Sequence, residues 1–391
     1  MKKQTIVFAG GGTGGHIYPG LAVADELRAL AAERGAEVRI VWLGNSAGMD
    51  RDIVQKNSAG AAGARFGSVD AFYGIPSGKL RRYLSFRNVL DVFKIGAGFV
   101  AAFFRLCALR PALLFSKGGF VSVPPCVAAR LLRIPVFTHE CDFTPGLATR
   151  LNSRFASKIL VSYEDTKRFF SAGKQSRLVV TGNPVRPAFY TADAEKGRRF
   201  LFAERPRDEA KPVLLVQGGS LGAHQINELV TQNLDWLCER FTVVHQTGKA
   251  DEALTQTRRD GYYPFAFIYG EMPDVMAAAD VVLSRAGANS IWECAALGKP
   301  MVLIPLCGSG TRGDQVDNAR FFAEKGAATA LVSAEADGEH VKQALASLLN
   351  AASREKAACA SRALGGSIRP ARTIAELIAA AVGIGSGGVG D

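Results

Sequence analysis

His16 ends the run Gly10-Gly11-Gly12-Thr13-Gly14-Gly15-His16, where an imidazole meets a glycine loop. An imidazole with its ordinary pKa of about 6.5 takes a proton from a hydroxyl at neutral pH. At a helix start beside glycines it equally suits phosphate binding or capping of the loop. The glycines bring bare N–H groups close to a ligand, and with the helix dipole these attract phosphate. A second loop of this kind, Gly218-Gly219-Ser220-Leu221-Gly222-Ala223, stands in the second half of the chain. Further on, Ser284-Arg285-Ala286-Gly287-Ala288-Asn289-Ser290-Ile291-Trp292-Glu293 combines small residues with a carboxylate. The small residues admit a sugar or diphosphate to a helix N-terminus, and Glu293 suits two sugar hydroxyls at once. Gln315 and Asn318 are three apart, so they share a helical face and suit hydroxyl recognition. Glu140 and Asp142, in His139-Glu140-Cys141-Asp142, are alternative bases.

Buried strands must position these groups. The apolar runs at 5–9 and 213–216 each lead into a glycine loop, and residues 21–32 read as the helix after the first. Further strands are expected at 37–43, 112–115, 135–138 and 158–162. In the second half they are expected at 242–246, 265–269, 281–284 and 301–304. Strand alternating with helix predicts an α/β protein with parallel sheets and ligands at the strands' carboxyl ends. The turn Thr181-Gly182-Asn183-Pro184-Val185-Arg186-Pro187 marks the junction between halves. Domains are therefore expected at 1–186 and 187–365, followed by a helix at 366–382 and a disordered glycine-rich tail at 383–391.

Composition narrows the class. The 391 residues are 48% hydrophobic and 21% charged, which describes a globular chain long enough for two domains. The seven cysteines are scattered and odd in number, with no Cys-x-x-Cys pair, so reduced side chains in a cytoplasmic setting are expected. The N-terminus reads as a strand rather than a signal peptide. No uninterrupted apolar run reaches the roughly 20 residues of a bilayer span. The net charge of +11 is uneven: Lys79, Arg81, Arg82, Arg87, Lys94, Arg105 and Arg110 face one acid, Asp91. Interleaved aromatic and aliphatic residues make 79–86 a candidate for an anionic membrane surface, through Leu80, Arg81, Arg82, Tyr83, Phe86 and Arg87. For 89–106 a crossover helix with core-facing Phe and Leu is favoured. No nucleic-acid-binding fold is recognisable. Gly10, Gly12 and Gly15 satisfy a dinucleotide pattern, but no acid ends the second strand, which stops at Trp42-Leu43-Gly44-Asn45. Asp50-Arg51-Asp52 resembles an acid-x-acid metal site but is expected to be a solvated helix face, and neither metal nor cofactor is expected.

With Gly-Asn-Pro-Val-Arg at 182–186, Ser-Arg-Ala-Gly-Ala at 284–288 and both glycine loops in order, residues 4–380 resemble the MurG family of bacterial peptidoglycan synthesis. The resemblance implies a GT-B fold: two Rossmann-like, doubly wound parallel-sheet domains with an interdomain cleft, the C-terminal helix packing back on the first. It implies an inverting glycosyltransferase that moves GlcNAc from UDP-GlcNAc to the muramyl 4-hydroxyl of lipid I, giving lipid II. The enzyme would lie peripherally on the cytoplasmic face of the inner membrane, beside other cell-wall synthesis proteins. Carried over by motif, Ser220 and Arg186 would bind the UDP phosphates and Tyr269 the uracil. Residues Ala288, Asn289, Ser290, Ile291, Trp292 and Glu293 would line ribose and sugar, with Gln315 and Asn318 on the GlcNAc side. Thr13, Gly14 and Gly15 would face the cleft beside donor and acceptor, with His16 nearest the chemistry. Gly11, Gly12, Lys117, Gly118 and Gly119 would hold the acceptor diphosphate. The chain departs from the family's His-Glu-Gln-Asn by carrying Cys141 and Asp142, and Pro124-Pro125 replaces glycines of the third loop. Rival readings are a UDP-GlcNAc 2-epimerase, another GT-B lipid glycosyltransferase such as a galactolipid-type synthase, and a membrane scaffold with a dead sugar site.

Overall fold

The computed structural model describes residues 3–57, 67–78, 86–218, 223–308, 311–366 and 368–385. Two units emerge, one of residues 1–186 with 369–391 and one of residues 187–368. In the first, the described strands are β1 (Gln4–Gly10), β2 (Val38–Asn45), β3 (Ala71–Ile75), β4 (Leu113–Gly118), β5 (Val136–Glu140), β6 (Lys158–Val161) and β7 (Leu178–Val180). They form one parallel sheet in the order β3-β2-β1-β4-β5-β6-β7. β1 is apolar at nearly every position because both faces are covered. Ile6 and Phe8 face one core with Leu27 and Trp42, while Val7 and Ala9 face another with Ala102 and Leu106.

The helix Pro370–Val382 belongs to this unit. Its Ala371, Ile374, Ala375, Ile378 and Ala379 are buried at helical spacing in the core of Ile6 and Phe8. Arg372 fixes its polar side by donating to Glu33 at 2.9 Å. Residues 383–385 are not the start of a disordered tail. Gly383 takes a φ of 73° and caps the helix, Ile384 is buried, and Arg34 Nη1 donates to the Ile384 carbonyl at 2.9 Å. Residues 386–391 lie outside the described residues.

The second unit holds β8 (Val213–Gln217), β9 (Thr242–Gln246), β10 (Tyr262–Phe265), β11 (Val281–Ser284), β12 (Met301–Leu303) and β13 (Ala328–Ala330). Their order is β10-β9-β8-β11-β12-β13, again parallel. The strand expected at 265–269 instead occupies 262–265. It is an edge strand, where Pro264 is tolerated, and the rings of Phe267 and Tyr269 beyond it lie 4.6 Å apart. In each sheet the chain winds outward from a central strand and then returns to that strand's other side. The strand order therefore reverses between β1 and β4, and between β8 and β11. Ligands of doubly wound sheets bind at the carboxyl ends of such a pair.

Candidate active site

At the first reversal, β1 turns through Gly11 and Gly12 into the helix Gly14–Glu33. The turn is held from one side by Asp50, which corrects the reading of that residue as solvated. Asp50 is 1% exposed, whereas Asp52 is exposed. Its carboxylate accepts the Gly12 N–H at 2.9 and 3.1 Å and the Asn45 N–H at 2.8 Å. Burial raises its pKa, and those backbone bonds oppose the rise. Gly11 is required here, since a Cβ would come within 1.7 Å of Asp50 Oδ2. Gly12 has a φ of 84°, and a Cβ on it would meet the Phe120 ring at 2.4 Å.

His16 lies one helical turn beyond, its N–H donating to the Thr13 carbonyl at 3.1 Å. Its ring rests on the turn that ends β4. A Cβ on Gly119 would approach His16 Cδ2 to 2.7 Å, and Gly118 and Gly119 take φ values of 87° and 75°. Thr13 and Gly15 are exposed. The expected diphosphate group divides differently. The Gly12 amide is taken by Asp50, and the Gly118 amide donates to Ser116 Oγ at 3.3 Å. Lys117 is 1% exposed and points into the protein, so it is not a surface cation. Its charge and, above all, burial hold the His139 pKa well below the ordinary histidine range. Neutral His139 donates from Nε2 to the Gly182 carbonyl at 3.0 Å. Pro124 and Pro125 open the helix Val123–Leu131, where a missing N–H costs nothing.

Glu140 ends β5 and is 4% exposed. Its carboxylate accepts the N–H groups of Cys141 at 3.0 Å, Asp142 at 3.1 Å and Gly146 at 2.9 Å. That makes it the tie of its own turn, presenting Asp142. Among the described residues Glu140, Cys141 and Asp142 also bring possible metal-ligand atoms within 4.8 Å of one another. Glu140 is nonetheless turned to the amides. Arg186 lies with its guanidinium 5.5 Å from the Tyr18 ring centre, on the helix that His16 opens.

In the second unit Gln217, Gln246 and Ser284 stand in register at the carboxyl ends of β8, β9 and β11. Parallel strands in register point such residues to one face, which makes a polar tier above the apolar core. Gln246 Oε1 accepts the Ile268 N–H at 2.9 Å and so fixes the backbone leading to Tyr269, whose side chain is exposed. Ser220 lies outside the described residues. Gly287 opens the helix Ala288–Ala296. Within it Ile291 and Trp292 face the core, Trp292 meeting the Phe322 ring edge-on at 5.5 Å. Their side chains are therefore not sugar contacts. Ala288 is buried too, while Asn289, Ser290 and Glu293 are half-buried. The expected amide pair also separates. Asn318 is fully buried and donates to the Ala286 carbonyl at 3.2 Å, whereas half-buried Gln315 accepts the Leu306 N–H at 2.9 Å. Arg285 donates to Gln225 Oε1 at 2.9 Å and the Ile304 carbonyl at 3.1 Å, and burial lowers its pKa.

From sequence Asp50 reads as part of a solvated helix face and Arg285 only as a member of its motif, and Gln246 is not singled out. Gln246 had a usable signal, a polar residue closing an apolar strand beside two others that do the same. Asp50 had none for its hold on the loop, because the Gly12 amide is 38 residues away.

Leu80, Arg81, Arg82 and Tyr83 lie outside the described residues, and the backbone of Phe86 and Arg87 opens the helix Phe86–Leu109. Its segment Asp91–Leu109 is long and apolar enough, by length and composition, to cross a membrane. Ala102 and Leu106 are in the core, but Val92, Phe93, Val100 and Phe104 are exposed, with Phe93 at 72%. The core-facing reading of 89–106 thus holds for one face only.

Two doubly wound parallel-sheet units with loops at their reversals are the GT-B fold. Residues 6–161 match the glycosyltransferase family 28 N-terminal domain, and residues 213–378 match the family 28 C-terminal domain. A Treponema denticola protein is 51% identical over 84% of both chains. It is the UDP-N-acetylglucosamine–N-acetylmuramyl-(pentapeptide) pyrophosphoryl-undecaprenol N-acetylglucosamine transferase. The chain belongs to that transferase family, the MurG enzymes. The crystal structure of Acinetobacter baumannii MurG is similar, with a TM-score of 0.70 and 27% identity over 96% of this chain and 99% of that one. A Neisseria meningitidis UDP-GlcNAc 2-epimerase shares the fold alone, with a TM-score of 0.64 and 15% identity over 96% of this chain and 100% of that one.

Proposed function

We propose that this enzyme moves GlcNAc from UDP-GlcNAc to the 4-hydroxyl of the muramyl sugar of lipid I, inverting the anomeric carbon and releasing UDP and lipid II. The observation that carries the reading is the 51% identity to the Treponema denticola transferase over 84% of both chains. The first unit presents the acceptor. His16 takes the hydroxyl proton as the new C–O bond forms, and the exposed backbone of Thr13 to Gly15 receives the acceptor diphosphate. Held by Glu140, Asp142 orients the sugar. The second unit holds the donor: uracil on the backbone at Tyr269, ribose on Glu293, GlcNAc beside Gln315. Departing UDP is stabilised in the second unit by Ser220 and by the N-terminus of the helix Ala288–Ala296.

The enzyme works peripherally on the cytoplasmic face of the inner membrane, supplying peptidoglycan synthesis and through it cell shape and division. Support comes from the exposed Val92, Phe93, Val100 and Phe104, with Lys94 and Arg105 on the same helix. Such a helix suits lying in the plane of an anionic surface. Transfer of radiolabelled GlcNAc to a short-chain lipid I analogue, with EDTA present, tests the reading. Labelled lipid II-like product is expected. Release of ManNAc and UDP without it would move the chain to epimerase chemistry.

A further inference from the structure

We propose that Asp50 is a positioning residue for the acceptor, clamping the first glycine loop so that His16 meets the muramyl hydroxyl. This rests on the reading of that loop as the acceptor side. Because β2 is the neighbour of β1, the turn after Asn45 runs beside the turn after Gly10. Asp50 joins the two, accepting from Asn45 on one and Gly12 on the other. The loop has little room to move otherwise. Asp50 Oδ2 fills the space where a Cβ of Gly11 would stand, and the Phe120 ring fills that of Gly12. His16 follows four residues later, in the first turn of the helix Gly14–Glu33, and its ring rests against Gly119. A displacement of Gly12 is therefore transmitted to the imidazole. Asp50 touches neither substrate, and it acts through Gly12 and His16.

Asn is close to Asp in shape but cannot replace it here. Oδ1 accepts Gly12 and Oδ2 accepts both Gly12 and Asn45, so in either orientation of an Asn amide its NH2 faces at least the Gly12 N–H. Two measurements separate positioning from a purely structural role. The first compares acceptor turnover with donor binding in Asp50→Asn. We expect kcat with the lipid I analogue to fall about 10- to 100-fold, with the Kd for UDP-GlcNAc unchanged and the melting temperature lowered by only a few degrees. The second is a double-mutant cycle with Gly11→Ala, whose new methyl collides with Asp50 Oδ2. In the wild-type background Gly11→Ala should cost turnover about as much as Asp50→Asn. In an Asp50→Ala background the collision is gone, and the further loss should be under about 3-fold. Wild-type turnover in Asp50→Asn overturns the proposal, as does an equal cost of Gly11→Ala in both backgrounds. A wild-type enzyme that transfers nothing to lipid I overturns the underlying reading, and the clamp with it.

Discussion

In the first unit the turns leaving the strands are tied by carboxylates, Asp50 to Gly12 and Asn45, and Glu140 to Cys141, Asp142 and Gly146. In the second the same task falls to amides, Gln246 to Ile268, Gln315 to Leu306 and Asn318 to Ala286. A carboxylate grips backbone N–H groups more strongly but adds negative charge, whereas an amide grips less strongly and adds none. The unit proposed to hold a nucleoside diphosphate thus keeps these turns with neutral groups, while the carboxylates of the other unit are engaged by backbone N–H groups. The unit proposed to present the acceptor carries the proposed base His16 as well as the two carboxylate ties.

The largest expected effect tests the proton side of this contrast. His16→Ala should lower turnover about 1000-fold and leave UDP-GlcNAc affinity unchanged, measured by lipid I turnover and calorimetry. Unchanged turnover removes the base assignment. Next comes Glu140→Gln. As a tie, it loses part of its grip on three amides, so turnover should drop about 10-fold and stability by about 2 kcal/mol. A loss as large as that of His16→Ala, with an unaltered melting temperature, would make Glu140 the base.

Exchanging the chemistry of the two units challenges the comparison from the other side. Gln246→Glu keeps an acceptor for the Ile268 N–H but introduces a charge beneath the donor site. UDP-GlcNAc should then bind about 5-fold more weakly at mildly alkaline pH, with the fold intact. Wild-type affinity would mean that neutrality of the ties has no bearing on donor binding.

How much of this was legible depends on the distance over which each residue acts. The glycine loops were, because each directly follows an apolar run that must be a buried strand. β3, β7 and β13 were not: Ala328–Ala330 reads Ala-Thr-Ala, and only its pairing with β12 makes it a strand. Ile291 and Trp292 sit inside a motif that suits sugar binding, yet helical geometry turns them to the core. Asn318 shares a face with Gln315, and what separates them is Ala286, 32 residues earlier. Asp50 shows the limit most clearly, since its neighbours Arg51 and Asp52 describe a surface while its partner Gly12 comes from another turn.

The smallest effect concerns a carboxylate of the first unit that leaves turnover alone. Asp25 lies on the helix Gly14–Glu33, where it accepts from the Ser68 hydroxyl. Burial, opposed by that bond, pushes its pKa from 3.8 up to about 7. The folded protein therefore binds this proton more tightly than the unfolded chain does. Between about pH 4 and 7 the folded state holds the extra proton, so stability falls as pH rises through that window and is flat above it. Asp25→Asn removes the titration while keeping a partner for Ser68. Melting across this range should show the variant equal to wild type near the acid end. It should become more stable by on the order of 1–2 kcal/mol above the window, the figure discounted for partial exposure. A difference that does not change with pH would show that Asp25 is already ionised in the fold.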